Sequence, residues 1–482
     1  MNYKYDDKGM MKNFIDGDKI NYLIKNSNEP DLKELTDILE KSFSVCDALN
    51  IEEVARLMAV KSRDKWELVF SYAEKIKKKV YDNRIVVFAP LYASNICVNN
   101  CLYCGFRSQN KEAVRRTLSM EEIKKEAEVL AGEIGHKRLI FVVGEHPRTG
   151  AEYIAGALRT IYSVKVERKN RINNIRRVNI NAAPMSVGDL KIIKEAGIGT
   201  YQVFQETYDK NLYLKLHPQN TPKSDFEYRL YSHHRAFEAG IDDVAIGALF
   251  GLGDWRFEVL GLVCHAKELE KVFGVGPHTV SFPRLEKASN SAYDGVKISD
   301  EDFKKIVALL RVSIPYSGLI VTCREKPETI RSVIPFCTQR DASTKIGIGA
   351  YSERYSEQAL KKQQFELGDT RSLEEIIGEL ADMGYITSFC TAGYRCARTG
   401  DHIMKMLKSG RESKFCKLNA VLTFKEWIED FANSDIKKKC EKLIMKEIKE
   451  ILSEDRRFSI DMKKMFFSYY QKIAEGERDL CF

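Results

Sequence analysis

The hydrophobic pattern of the chain changes character near residue 84. Between about residues 30 and 82 apolar positions recur at helical spacing, as in Leu32-Leu35-Ile38-Leu39 and Val54-Leu57-Met58. This predicts an N-terminal helical extension over residues 1–84, closed by Lys77-Lys78-Lys79 as the solvated end of a helix. From Ile85 the pattern becomes short apolar runs separated by helix-length segments: Ile85–Leu91, Arg138–Val143, Arg177–Asn181, Thr200–Gln205, Val244–Phe250, Thr279–Arg284, Leu319–Cys323 and Lys345–Ala350. Eight strands alternating with helices predict an α/β chain whose residues 85–355 form a (β/α)8 TIM-type barrel. Residues 356–482 read as a C-terminal helical, cysteine-bearing segment rich in Lys and Glu. There Phe466, Phe467, Tyr469 and Tyr470 are expected to form a helix face packed on the barrel. No repeat of solenoid period is present.

Composition narrows the classes. Of 482 residues, 44% are hydrophobic, enough for a sizeable core. The net charge of +8 comes from 77 basic and 69 acidic residues that are interleaved, without an aromatic-studded basic patch, which argues against a nucleic-acid partner. Twelve cysteines follow a polar, charged start (Met1–Asp16), so a reducing cytoplasm is expected rather than a disulfide framework. No apolar run is long enough to span a membrane.

The cysteines carry the chemistry. The first strand runs into Cys97-Val98-Asn99-Asn100-Cys101-Leu102-Tyr103-Cys104, three thiols on one loop at a strand end. A structural zinc site needs four protein ligands in paired spacing, and no fourth Cys or His lies near this loop in sequence. Three cysteines on a four-iron cluster leave one iron open for a ligand. Chemistry in such barrels gathers at the carboxyl ends of the strands. The second strand ends in Gly144-Glu145-His146-Pro147, where glycine allows close backbone approach. The fourth ends in Gln205-Glu206-Thr207, whose buried carboxylate needs a partner. The seventh ends in Thr322-Cys323-Arg324-Glu325. The planar guanidinium of Arg324 suits a carboxylate, although a structural Arg324–Glu325 pair is the competing reading.

The Cys-x3-Cys-x2-Cys spacing, with Tyr103 before the last cysteine, resembles the signature of the radical S-adenosylmethionine (SAM) enzymes. The resemblance implies a 4Fe-4S cluster on Cys97, Cys101 and Cys104, with SAM chelating the open iron and yielding a 5'-deoxyadenosyl radical. It further implies SAM contacts from Tyr103, Gly144 and Glu145, from Glu206 on the ribose, and from Gly347 and Gly349 beside the adenosyl group. Over residues 85–430 a closer likeness exists: His136-Lys137-Arg138-Leu139, Arg176-Arg177-Val178-Asn179, Phe204-Gln205-Glu206-Thr207-Tyr208, Gly276-Pro277-His278-Thr279 and Pro283-Arg284-Leu285 resemble the HydG/ThiH tyrosine-lyase group. That group implies abstraction of hydrogen from the amino group of an amino-acid substrate, cleavage of the Cα–Cβ bond, Arg324 with Thr322 at the substrate carboxylate, and an external electron donor such as ferredoxin or flavodoxin.

HydG also builds a second cluster. The matching residues here are His278, as ligand to an extra iron, and a C-terminal cysteine set. That set departs from HydG's Cys-x2-Cys pattern: Gly393 replaces the second cysteine, and Cys396 stands three residues later, between Cys390 and Cys416. Two outcomes follow from the altered spacing. Either Cys390, Cys396 and Cys416 hold a second iron-sulfur cluster, with CO and cyanide delivery in the manner of HydG disfavoured, or they are free cysteines and His278 is a satisfied core residue. Pro335-Phe336-Cys337-Thr338-Gln339-Arg340-Asp341 also departs from the smaller residues of HydG. A paralogue with another substrate, or a non-catalytic iron-sulfur carrier, is the alternative that these differences leave open.

Overall fold

The strand β1 (Arg84–Ser94) is the spine of the molecule, buried over all but its first residue. It belongs to a computed structural model that describes residues 13–353, 363–395, 400–453 and 458–482. Its run of Val, Ile, Phe and Leu suits a strand covered on both faces. It is followed by β2 (Arg138–Val143), β3 (Arg177–Asn181), β4 (Tyr201–Gln202), β5 (Val244–Gly247), β6 (Thr279–Ser281), β7 (Gly318–Val321) and β8 (Gln339–Asp341). Each pairs in parallel with the next, and β8 returns to β1 through Val86–Gln339, Val87–Arg340 and Phe88–Asp341. The result is a closed eight-stranded TIM-type barrel. Helices such as Met120–Glu128, Ala151–Ser163, Val187–Glu195, Trp255–Phe273 and Asp300–Ser313 connect its strands.

The first seven predicted strands occur within or close to their expected bounds. The eighth is displaced. Residues 345–350 form no strand and lead into a turn, with Gly349 at φ +76°, and the barrel is closed instead by Gln339-Arg340-Asp341. A strand so polar carries no hydrophobic signal. It is tolerated because its charges are satisfied inside the protein: Arg340 pairs with Asp369 at 3.0 Å, and the Asp341 carboxylate accepts from Cys323 N at 2.7 Å and Thr344 Oγ1 at 2.8 Å.

A further strand, β9 (Ile386–Ser388), pairs with Arg84–Val86 of β1 and so extends the sheet at the amino-terminal end of the barrel. The N-terminal helices Gly17–Asn26, Leu32–Val45, Ile51–Met58 and Arg63–Tyr81 lie outside the barrel, tied on by Ser42 Oγ to Val312 O (2.6 Å) and Leu49 N to Ser313 O (2.9 Å). The lysine run is not wholly solvated. Lys77 is buried with its amine 4.8 Å from the Tyr385 ring centre, and burial lowers its pKa to about 7. The reason is helical phase, since Lys77 falls on the same face as Ala73, Val80 and Tyr81. The C-terminal helix Glu412–Phe431 packs on β9, with Trp427 stacked on Phe389 at 6.0 Å. The aromatic helix Ile460–Glu475 packs on Glu412–Phe431 rather than directly on the barrel, and buries Phe466 while leaving Phe467 exposed. Among the described residues no helix is long and apolar enough to cross a membrane.

Candidate active site

The carboxyl mouth of the barrel holds a cavity of about 160 Å³. Cys97, Cys101 and Cys104 line it, carried by the loop that leaves β1, together with Tyr103, Gly144, Glu145, Glu206 and Arg324. Candidate residues from four separate stretches of sequence thus meet in one place. Among the described residues no three His, Cys, Asp or Glu side chains are grouped closely enough to share a single metal ion.

The loop is held from several sides. Val98 N donates to Glu145 O at 2.8 Å, and Gly144 N to Ser94 O at 2.9 Å. Gly144 is there because nothing larger fits: a Cβ would meet Ile96 O at 2.4 Å and Cys97 Cβ at 3.2 Å. Two amides point at sulfur, Asn99 Nδ2 toward Cys97 at 3.8 Å and Gln364 Nε2 toward Cys104 at 3.6 Å. Burial raises the Cys97 thiol and pushes Cys101 up to about 12, so these sulfurs become thiolates readily only when a cationic centre binds them. Three cysteines lining one cavity, two of them with amide N–H donors aimed at sulfur, are a donor set that fits a four-iron cluster with SAM.

Glu206 stands at the end of β4 with φ +72°, an unfavourable conformation for a residue with a side chain. Its Oε1 receives Lys223 at 2.7 Å and Arg229 at 3.3 Å. Burial alone would raise this carboxyl, but the two cations outweigh it and hold it below the ordinary value. The next two residues are clamped from outside the barrel by Glu258, which contacts Thr207 Oγ1 at 2.5 Å and receives Tyr208 N at 2.8 Å. Tyr103 is buried, its hydroxyl 2.9 Å from His217 Nε2.

Arg324 reaches the cavity from the end of β7. The expected alternative, a pair with Glu325, is not formed, because Glu325 is taken by Arg284. Among the described residues Arg324 has no carboxylate within ion-pair distance; its guanidinium carbon lies 3.3 Å from the Phe365 ring centre. Thr322 is not among the lining residues; its Oγ1 is buried and, among the described residues, has no hydrogen-bond partner. Gly347 and Gly349 are not among the lining residues; their turn packs on Arg116, which approaches Ile348 O at 3.4 Å. Lys223, Arg229, Asn99, Gln364 and Phe365 were not foreseen. Only Asn99 carried a signal, its place inside the cysteine loop.

A second cavity, of about 60 Å³, opens at the amino-terminal end of the barrel. His278, Cys390 and Cys416 line it, with Arg84, Arg138 and Glu412. His278 precedes β6, and its Nδ1 meets Asp243 Oδ2 at 2.9 Å, which orients the ring. Cys416 is buried on the helix Glu412–Phe431, and burial raises its thiol strongly. Gly393 lines the same cavity, whereas Cys396 lies outside the described residues.

A parallel barrel with a three-cysteine loop lining a cavity at its carboxyl mouth defines the class of radical SAM enzymes. Residues 91–259 match the Radical SAM superfamily, and residues 281–386 the Biotin and Thiamin Synthesis associated domain. The 2-iminoacetate synthase of Salmonella typhimurium is 28% identical over 70% of this chain and 85% of its own. A crystal structure of HydG, a maturase of the [FeFe]-hydrogenase, shares 42% identity with a TM-score of 0.90, covering 98% of this chain and 100% of that one. HydG of Carboxydothermus hydrogenoformans shares 37% over 94% and 96%, with a TM-score of 0.78. The chain belongs to the HydG/ThiH group of the radical SAM superfamily, whose members are lyases that use a 4Fe-4S cluster and SAM.

Proposed function

We propose that this enzyme cleaves the Cα–Cβ bond of tyrosine or a closely related aromatic amino acid. The observation that carries the substrate class is Arg324, a guanidinium at the cavity wall whose neighbouring carboxylate is committed to Arg284. A planar guanidinium presents paired N–H donors that suit an amino-acid carboxylate. When bound, the cluster and SAM would supply the radical chemistry by which tyrosine is divided into 2-iminoacetate and a p-cresol fragment, the latter taking up one electron and one proton from the external donor and solvent. The chain's own part is to hold its partners. Cys97, Cys101 and Cys104 anchor the cluster, Gly144 and Glu145 border the SAM side, and Glu206 brings a carboxylate kept ionised by Lys223 and Arg229. An acidic low-potential protein such as ferredoxin or flavodoxin would supply the electron.

Anaerobic incubation of the reconstituted enzyme with SAM, dithionite and each aromatic amino acid tests this reading by mass spectrometry. Tyrosine should give 5'-deoxyadenosine together with p-cresol. Deoxyadenosine without any amino-acid fragment would refute the substrate, and no deoxyadenosine at all would favour an iron-sulfur carrier. Arg324→Lys should raise the KM for tyrosine roughly 10- to 100-fold, the loss expected when a bidentate charged contact is replaced by a point charge.

A second cluster at the amino-terminal cavity is supported by the approach of Cys390, Cys416 and the oriented His278 to one space. Cys396 would complete its three thiolates. The loss of the cysteine at Gly393 alters the site enough that CO and cyanide release is not proposed. About eight irons per reconstituted chain, falling to about four in a Cys390→Ala/Cys416→Ala double variant, is the expected count; four irons in both proteins would remove the second cluster.

A further inference from the structure

The segment Gln363–Asp369 has no regular structure and no hydrophobic pattern, yet it crosses the mouth of the barrel and is pinned at both ends. At one end Gly105 N donates to Gln364 O at 3.3 Å, directly after the last cysteine of the loop. At the other, Gly368 N and Asp369 N donate to Cys323 O at 2.9 and 3.0 Å, directly before Arg324. The chain approaches so closely at these points that only glycine is accommodated: a Cβ on Gly105 would meet Gln364 O at 2.8 Å, and one on Gly368 would meet Arg324 O at 2.5 Å. Between the pins, Glu366 N donates to Lys287 O at 2.9 Å.

The two side chains that face the cavity from this strap, Gln364 and Phe365, each touch one half of the chemistry. The Gln364 amide is fixed by the Tyr92 hydroxyl on its Oε1 at 3.2 Å, which turns Nε2 toward Cys104 Sγ at 3.6 Å. The Arg324 guanidinium carbon sits over the buried Phe365 ring, 3.3 Å from its centre. An aromatic face attracts a guanidinium without occupying its N–H donors, so the fork stays oriented and open to an anion. An N–H donor to a cluster thiolate stabilises the reduced, more negative cluster.

We propose that this strap couples the cluster loop to the substrate arginine, with Gln364 positioning and tuning Cys104 and Phe365 positioning Arg324 for the substrate carboxylate. The second half rests on the reading of Arg324 as the carboxylate anchor; the first half does not. Both side chains are positioning residues, since each acts through another group.

The test uses the full chain, reconstituted anaerobically, with iron content matched across variants. Phe365→Leu should weaken radiolabelled tyrosine binding in the presence of SAM by about tenfold, within the range of a desolvated cation–π contact. Phe365→Tyr should restore it, and neither should move the cluster's midpoint potential in an EPR-monitored titration. Gln364→Leu should move that potential to a more negative value and leave tyrosine affinity unchanged. Unchanged tyrosine affinity in Phe365→Leu, or a failure of Phe365→Tyr to restore it, overturns the arginine half; an unchanged potential in Gln364→Leu overturns the cluster half. If the wild type itself fails to bind tyrosine, the substrate reading falls, and the potential of Gln364→Leu still decides the role of Gln364.

Discussion

Replacing Glu258 by glutamine probes how the turn at Glu206 is held. Glu258 is buried on the helix Trp255–Phe273, and burial pushes its carboxyl up to about 8 from an ordinary 4.5, with the hydrogen bonds from Thr207 and Tyr208 opposing only in part. Between those two values the folded protein keeps a proton that the unfolded chain has released. Stability from this group is therefore fully present below the unfolded pKa and is lost as pH rises through the folded one. Each pH unit in the window costs about 1.4 kcal/mol, so the loss by pH 7 is on the order of 3 kcal/mol. Glutamine stays neutral throughout, and its amide can accept from Tyr208 N and donate to Thr207 Oγ1. Glu258→Gln should thus differ little from the wild type near pH 5 and become the more stable protein by pH 8, by a margin on the order of a few kcal/mol. Anaerobic urea unfolding, followed by tryptophan fluorescence at pH 5.5, 7 and 8.5, measures that margin. Stability profiles that run parallel across the range would show that the carboxyl is ionised in the folded state, and would refute the reasoning.

Two further outcomes follow from the site. Gly144→Ala places a methyl group 2.4 Å from Ile96 O, so the cysteine loop must shift; SAM affinity, read by equilibrium dialysis, should fall at least about tenfold, since 1.4 kcal/mol of displacement suffices, and unchanged affinity would mean the loop adapts freely. Glu206→Ala leaves Lys223 and Arg229 buried without their carboxylate and should lower unfolding free energy by roughly 3–5 kcal/mol, with an unaltered denaturation midpoint as the contrary result.

Much of this protein was legible in its sequence because the signals were local. Ile85–Leu91, Arg138–Val143 and Leu319–Cys323 are buried on both sides in the barrel, so their apolar content marks them however the chain folds. The cysteine loop was legible because its three cysteines lie within eight residues, Cys97 to Cys104, and line one cavity. What the tertiary structure decided depends on partners distant in sequence. The closing strand Gln339-Arg340-Asp341 looks like loop until Asp369 and Thr344 satisfy its charges in the interior. Arg324 could have paired with the adjacent Glu325; Arg284, forty residues upstream on another strand end, takes that carboxylate and leaves the guanidinium to the cavity. Gln364 and Phe365 acquire meaning only because closure of the barrel brings Cys104 and Arg324 to the same rim. Composition and periodicity report burial, which each residue carries with it; they do not report pairing, which is fixed only once the chain has closed on itself.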